Sequence, residues 1–215
     1  MVDKNLFCDI YLIRHGETDW NMLGKLQGHI DISLNSSGKI QARNLQKQLN
    51  HINFAAAFSS DLSRARQTAE IVLESKDIKI EETAVLRERQ LGEWEGQSID
   101  DLKNWLQKNS QIDSFTQEDF LAYKWDSISE NYAEVFNRLS RLVLKISPLY
   151  LGSTILLSSH GGLLRSVLYQ LDFKSELRWH VDNCGFIKIR ANNRGGMTIA
   201  ECHGIKTSRA SSSTF

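Results

Sequence analysis

An α/β layer structure with a mostly parallel sheet is the fold class this sequence predicts. Short apolar runs alternate with amphipathic segments along the chain, the pattern of strands that feed helices. No internal repeat or interdomain linker interrupts the alternation, and 215 residues suit one domain, alone or with an elaborated insertion.

Residues 8–14 read as the first strand. Residues 36–50, SSGKIQARNLQKQLN, place Ile40, Leu45 and Leu49 at spacings that suit a helix. The small-residue run AAAFS at 55–59 is a second strand, and 61–75 a helix with Asp61 as its N-cap. IKIEETAV at 78–85 partly alternates and is read as extended. Helical character runs from about 98 to 147, with a looser centre near 109–117. TILLSS at 154–159 is a buried strand, just after the only proline, Pro148, and 162–171 is a helix. GFIKIRA and MTIAECHG read as two final strands, antiparallel around a turn at Asn192 to Gly196, and 208–215 as a disordered polar tail.

Composition excludes several classes of function. The net charge is zero and the pI near 7.0, so no global field draws nucleic acid or an anionic membrane. Three scattered cysteines, Cys8, Cys184 and Cys202, give no CxxC pair and no disulfide framework or zinc site. The first residues lack the pattern of a signal peptide, and no apolar stretch is long enough to span a bilayer. The expected compartment is the cytoplasm. No surface stripe identifies an oligomer interface.

In open parallel sheets ligands bind beyond the carboxyl ends of the strands. Arg14 and His15 stand at the end of one expected strand, His160 and Gly161 at the end of another. Four stretches belong together: IRHGET (13–18), SSDLSRARQTAE (59–70), LRERQLGEWEG (86–96) and SSHGGLLRS (158–166). They supply guanidinium groups at Arg14 and Arg64, two imidazoles, and a carboxylate at Glu88. Guanidinium forks bind phosphate oxygens bidentately. A neutral imidazole can attack phosphorus. A carboxylic acid can protonate the leaving alcohol and then deprotonate water. Glycines after both histidines let backbone approach an anion. Taken singly, each stretch has a bland reading as a strand-end pair, a turn or a solvated helix face. Their joint occurrence disfavours that. On residues alone, His15 and His160 remain equal candidates for the nucleophile. His29, His51, His180 and His203 are read as structural, Trp20 and Trp94 as packing beside the site, and Asn183 as part of a turn.

The chain resembles the histidine phosphatase superfamily, also called phosphoglycerate mutase-like. The resemblance rests on RHG followed by E-T-x-W-N, on three further motifs in the same order, and on LNSSGKIQA (34–42), and it spans about residues 10 to 170. It implies a three-layer α/β/α sandwich forming a domain over 1–207, with a helical insertion at about 98–130 as a lid over the active site. It implies that His15 is the nucleophile, that Arg14, Arg64 and His160 bind the phosphoryl group, and that Glu88 is the acid and then the base. Asn21, Gln27, Gly28 and Gly161 match positions near the phosphate.

Family mutases carry extra basic residues, a paired arginine among them, in the segment corresponding to 90–130. This chain has no arginine between Arg89 and Arg138. Leu91 stands where mutases have tyrosine, Gly162 where they often have asparagine, and Gly92 to Gly96 form the G-x-W-E-G of the phosphatase branch. The expectation is a metal-independent, cofactor-free phosphomonoesterase for a small phosphorylated metabolite. Trp105, Phe115, Phe120, Tyr123 and Trp125 of the insertion would either contact the alcohol or form the lid's own core. A mutase, and a phospho-ligand sensor without turnover, are the alternatives.

Overall fold

The computed structural model describes residues 6–109, 124, 126–171 and 177–209. In chain order the elements are β1 (Phe7–Arg14), α1 (Asp19–Met22), α2 (Ser36–Leu49), β2 (Phe54–Ser59), α3 (Ser63–Leu73), β3 (Ile80–Glu82), α4 (Ile99–Asn109), α5 (Tyr132–Ile146), β4 (Thr154–Ser159), α6 (Gly161–Leu171), β5 (Leu177–Asn192) and β6 (Met197–Arg209). The strands form one sheet in the order β3-β2-β4-β1-β5-β6. Pairings from β3 to β1 are parallel, and β5 alone runs against its neighbours. This is the expected mixed α/β sandwich.

The uninterrupted apolar run of β1 follows from burial on both faces. Cys8, Ile10 and Leu12 point into a core shared with Val135, Leu139 and Val143 of α5 and with α6. Tyr11 and Ile13 point the other way, onto Ala42, Leu45 and Leu49 of α2 and onto α3. Residues of opposite parity therefore build the two cores that make the three layers.

Several local expectations need correction. Helix α3 begins at Ser63, and its cap position, Leu62, makes no side-chain cap bond. Asp61 is instead gripped by the guanidinium of Arg87, whose Nε lies 2.8 Å from Asp61 Oδ1. Asp31, from a distant loop, accepts from the Ser63 backbone N–H at 2.7 Å. Of the extended stretch 78–85 only Ile80–Glu82 pairs, and Ala84–Leu86 closes into a 3₁₀ turn. Residues 126–131, expected helical, are bends and coil that lead into α5. Strand β5 starts well before GFIKIRA, and the turn read at Asn183 is a bulge within it, between Val181 and Phe186. Cys184 there takes φ +59°, the only non-glycine residue with positive φ among those described. Strand pairing reaches Arg209, two residues into the expected tail, whose remainder lies outside the described residues. So do Phe115, Phe120, Tyr123 and Trp125, while Trp105 of α4 packs edge-on against Trp94 at 5.5 Å. Trp20 lies under the ammonium of Lys25, 5.4 Å from its ring.

Candidate active site

The parallel register of β1 and β4 brings the two histidines together. Arg14 pairs with Ser159, and the next rung sets the His15 N–H on Ser159 O at 3.0 Å. His160 follows directly, and the two rings stand 5.2 Å apart, tilted by 62°. Strand β2, the other neighbour of β4, leads into α3 and delivers Arg64 in its first turn. Arg64 is fully buried. It donates to His160 Nδ1 (3.2 Å), Ile30 O (2.8 Å) and Gly28 O (2.8 Å).

These bonds set the tautomers. His15 Nδ1 lies 2.6 Å from Gly16 O, a carbonyl that can only accept, so Nδ1 carries the proton and Nε2 keeps its lone pair. His160 Nδ1 accepts from Arg64, so its proton sits on Nε2, a buried donor with no partner. Arg14 donates to Val181 O, and its Nε is likewise buried without an acceptor. His15 thus keeps an Nε2 lone pair, while the Nε2–H of His160 and the Nε–H of Arg14 are buried donors without a protein partner.

Burial, then the charges of Arg64 and Arg14, hold His15 well below the ordinary imidazole pKa of 6.5. Burial and Arg64 do the same to His160. Burial lowers both arginines to about 10, which leaves them charged at neutral pH. Cys184 lies nearby, but burial pushes its thiol up to about 12, so it offers no thiolate.

Glu88 faces this cluster from the loop after the 3₁₀ turn. Its Oε1 accepts from Arg89 N at 2.7 Å and its Oε2 from Gly162 N at 2.9 Å. A Cβ on residue 162 would fall 2.2 Å from Glu88 Oε1, so any side chain there would push the end of that carboxylate aside. Arg138 of α5 holds the loop by donating to Val85 O, Arg87 O and Glu88 O, while its Nε pairs with Glu130.

These groups open on a cavity of about 490 Å³. Arg14, His15, Arg64, Glu88 and Gly161 line it, as do Asn21, Gln27 and Gly28. His160 touches this lining through the ring of His15 and through Arg64. Asn21 caps α1 together with Thr18 and sits 3.5 Å from Asn183 Nδ2. Gln27 Oε1 is buried without a partner, and Gly28 gives its carbonyl to Arg64. Helix α4 forms an apolar wall through Ile99, Leu102 and Leu106.

Three residues read as structural belong to the site's surroundings. His29 Nε2 contacts Glu88 O at 2.9 Å, Asn183 Nδ2 donates to His15 O at 3.1 Å, and His180 stands at the rim. Arg89, Arg165 and Tyr132 also line the cavity. Arg89 and Arg165 lie within the quoted motifs, where their spacing alone gave them no task. Tyr132 lies outside every motif, and its sequence context carries no signal of it.

The model of the histidine phosphatase superfamily (branch 1) matches residues 10–201. The chain belongs to that superfamily. It is 31% identical over 189 residues to "Probable phosphoglycerate mutase GpmB" of Escherichia coli O1:K1 / APEC, covering 84% of this chain and 83% of that protein. The crystal structure of phosphoglycerate mutase from Bacillus anthracis str. Sterne shares the fold with a TM-score of 0.79 and 28% identity, over 94% of each chain. Phosphoserine phosphatase from Entamoeba histolytica, solved with 3-phosphoglyceric acid, aligns with a TM-score of 0.73 and 26% identity, over 91% of this chain and 96% of that one. Histidine phosphatases similar to this chain thus include proteins named as mutases and as phosphatases. Among the described residues no helix is long and apolar enough to cross a membrane.

Proposed function

We propose that this histidine phosphatase hydrolyses a small phosphomonoester through a phosphohistidine at His15, without a metal ion. The observation that carries the reading is the His15 tautomer: its Nδ1 proton is fixed on Gly16 O, and Nε2 keeps a lone pair between cations. Nε2 attacks phosphorus, while Arg14, Arg64 and the His160 Nε2–H bind the oxygens on which charge spreads. Glu88 gives its proton to the departing alkoxide and then removes one from the water that cleaves the phosphorus–nitrogen bond. The donors around the phosphoryl position are guanidinium and imidazolyl N–H groups, which suit an oxyanion and not a cation. Among the described residues no group of three or more His, Cys, Asp or Glu is placed to hold a metal.

Hydrolysis is favoured over isomerisation by Leu91, by Gly162 and by the lack of arginine between Arg89 and Arg138. Phosphate release from p-nitrophenyl phosphate and a metabolite panel, measured in chelator, tests the reading. The wild type should release phosphate, and His15→Ala should lose at least about a thousandfold. Full activity in that variant would sink the mechanism. Mutase activity is the second reading, favoured by the names of two of the similar proteins. Isomerisation of 3-phosphoglycerate with a bisphosphate primer, without net release, would establish it instead.

A further inference from the structure

Arg64 and Glu88 must act on one substrate from separate elements. Arg64 stands in the first turn of α3 and Glu88 on the loop after the 3₁₀ turn Ala84–Leu86. Among the described residues no hydrogen bond or ion pair joins their side chains. They meet instead through the segment Gly28–Ile30. The terminal nitrogens of Arg64 donate to the carbonyls on either side of His29, Nη2 to Gly28 O and Nη1 to Ile30 O, both at 2.8 Å. The His29 ring reaches the other element, with Nε2 2.9 Å from Glu88 O. A carbonyl only accepts, so that nitrogen carries the proton and donates. One residue thus stands between the phosphoryl-binding guanidinium and the backbone of the proposed acid.

Glu95 fixes the backbone of that residue. Its Oε1 accepts from His29 N at 2.9 Å and from Leu91 N at 3.2 Å, so one carboxylate oxygen ties His29 to the chain just past Glu88. Gly28 takes φ +49°, a left-handed conformation that suits glycine, and a Cβ there would fall 2.1 Å from the same oxygen. Backbone bonds run alongside, from Leu26 N to Gln97 O at 2.9 Å and from Gly96 N to Leu26 O at 2.8 Å. Burial disfavours the Arg64 cation, and the negative charges of Glu88, Asp31 and Glu95 work against that penalty. Arg138 also donates to Glu88 O at 2.9 Å, but it ties the loop to α5 and not to the phosphoryl site.

We propose that His29, its backbone held by Glu95, is a positioning residue that keeps Glu88 aligned with the phosphoryl group on Arg64, so that proton delivery to the leaving oxygen depends on it. The proposal rests on the reading of His15 as nucleophile and Glu88 as acid. The test compares kcat/KM for two esters of similar size, benzyl phosphate and p-nitrophenyl phosphate. The benzyl alkoxide is a poor leaving group that needs the proton, whereas nitrophenolate leaves unaided, so a displaced acid slows the first ester selectively. His29→Leu should lower kcat/KM about thirtyfold for benzyl phosphate and less than about threefold for p-nitrophenyl phosphate. His29→Gln, whose amide can donate to Glu88 O, should recover most of that loss. His29→Phe keeps a ring without the donor and serves if His29→Leu does not fold. Equal loss on both esters, no loss on either, or no recovery in His29→Gln would overturn the assignment and leave His29 a structural residue. Glu88→Gln, run alongside, separates the two readings. A selective benzyl loss in Glu88→Gln that the His29 variants do not share faults the positioning role alone. No selective loss in Glu88→Gln, or no turnover by the wild type, faults the underlying reading, and the positioning role falls with it.

Discussion

At the scale of single residues, the site depends on which atoms are left free. His15 and His160 share a strand-end position and a following glycine, yet one keeps an Nε2 lone pair and the other an Nε2 proton. Gly162 makes a comparable difference with no side chain at all. Its N–H binds Glu88, and any Cβ would collide with that carboxylate. Gly162→Asn should therefore displace Glu88 and lower kcat about a hundredfold, with a smaller change in KM. Steady-state kinetics with an unactivated alkyl phosphate would check this, and an unchanged kcat would remove Glu88 from the chemistry. Asn183 is a positioning residue. With Cys184 N it supplies two donors to the carbonyl of His15. Asn183→Ala should cost about 1 kcal/mol in stability and about tenfold in kcat, read by denaturant unfolding and kinetics on the same preparation.

At the scale of elements, two segments without regular pairing are held by side chains from far along the chain. The loop carrying Glu88 is bound by Arg138, which is 19% exposed, through three backbone carbonyls and Glu130. Arg138→Met would take the donor from Val85 O and Arg87 O and the cation from Glu130, and should destabilise the fold by about 3 kcal/mol. Activity should fall as well, because Glu88 moves with its loop. Loss of stability with full kcat would show that the loop holds its shape without this clamp. The β5 bulge works in the same way, binding Arg14 through Val181 O and His15 through Asn183 and Cys184. Such features are hard to read from sequence. A bulge in β5 and a turn between two strands share the same Asn-Cys-Gly signature. Asp61 has the residue type and position of an N-cap, yet Arg87, 26 positions along the chain, takes its carboxylate. Local propensity is a weak preference, and a charge-assisted bond to a distant partner exceeds it.

At the scale of the whole molecule, the site's electrostatics and the stability of the fold are coupled. His15 and His160 are held well below pKa 6.5, so below that pH the unfolded chain binds more protons than the folded one. Stability should therefore be full above about pH 6.5 and fall as the pH drops below it. The carboxylates with lowered pKa, Asp61, Asp182 and Glu134 among them, lose their contribution only below about 4.5, outside that window. Thermal unfolding at about pH 7.5 and about pH 5.5 should give a lower Tm at the acid value, by a margin that shrinks in His15→Asn. Equal Tm values would show the histidines to be charged in the folded state. If the proposed phosphoryl site is right, inorganic phosphate should raise Tm, because the site exists only in the folded state.

By itself the sequence determined the α/β class, the strand ends that carry Arg14, His15 and His160, and the set of motifs that join Arg64 and Glu88 to them. These are legible because apolar periodicity reports burial along a strand or helix, and chemically demanding residues at its end have no structural reason to be there. Only the tertiary structure decided which imidazole nitrogen is free, what a side chain at residue 162 would displace, and that Arg89, Tyr132, Arg165 and Asn183 share one cavity. Those facts depend on side chains from segments far apart in sequence, and their meeting is set by sheet register and helix packing, which no local pattern encodes.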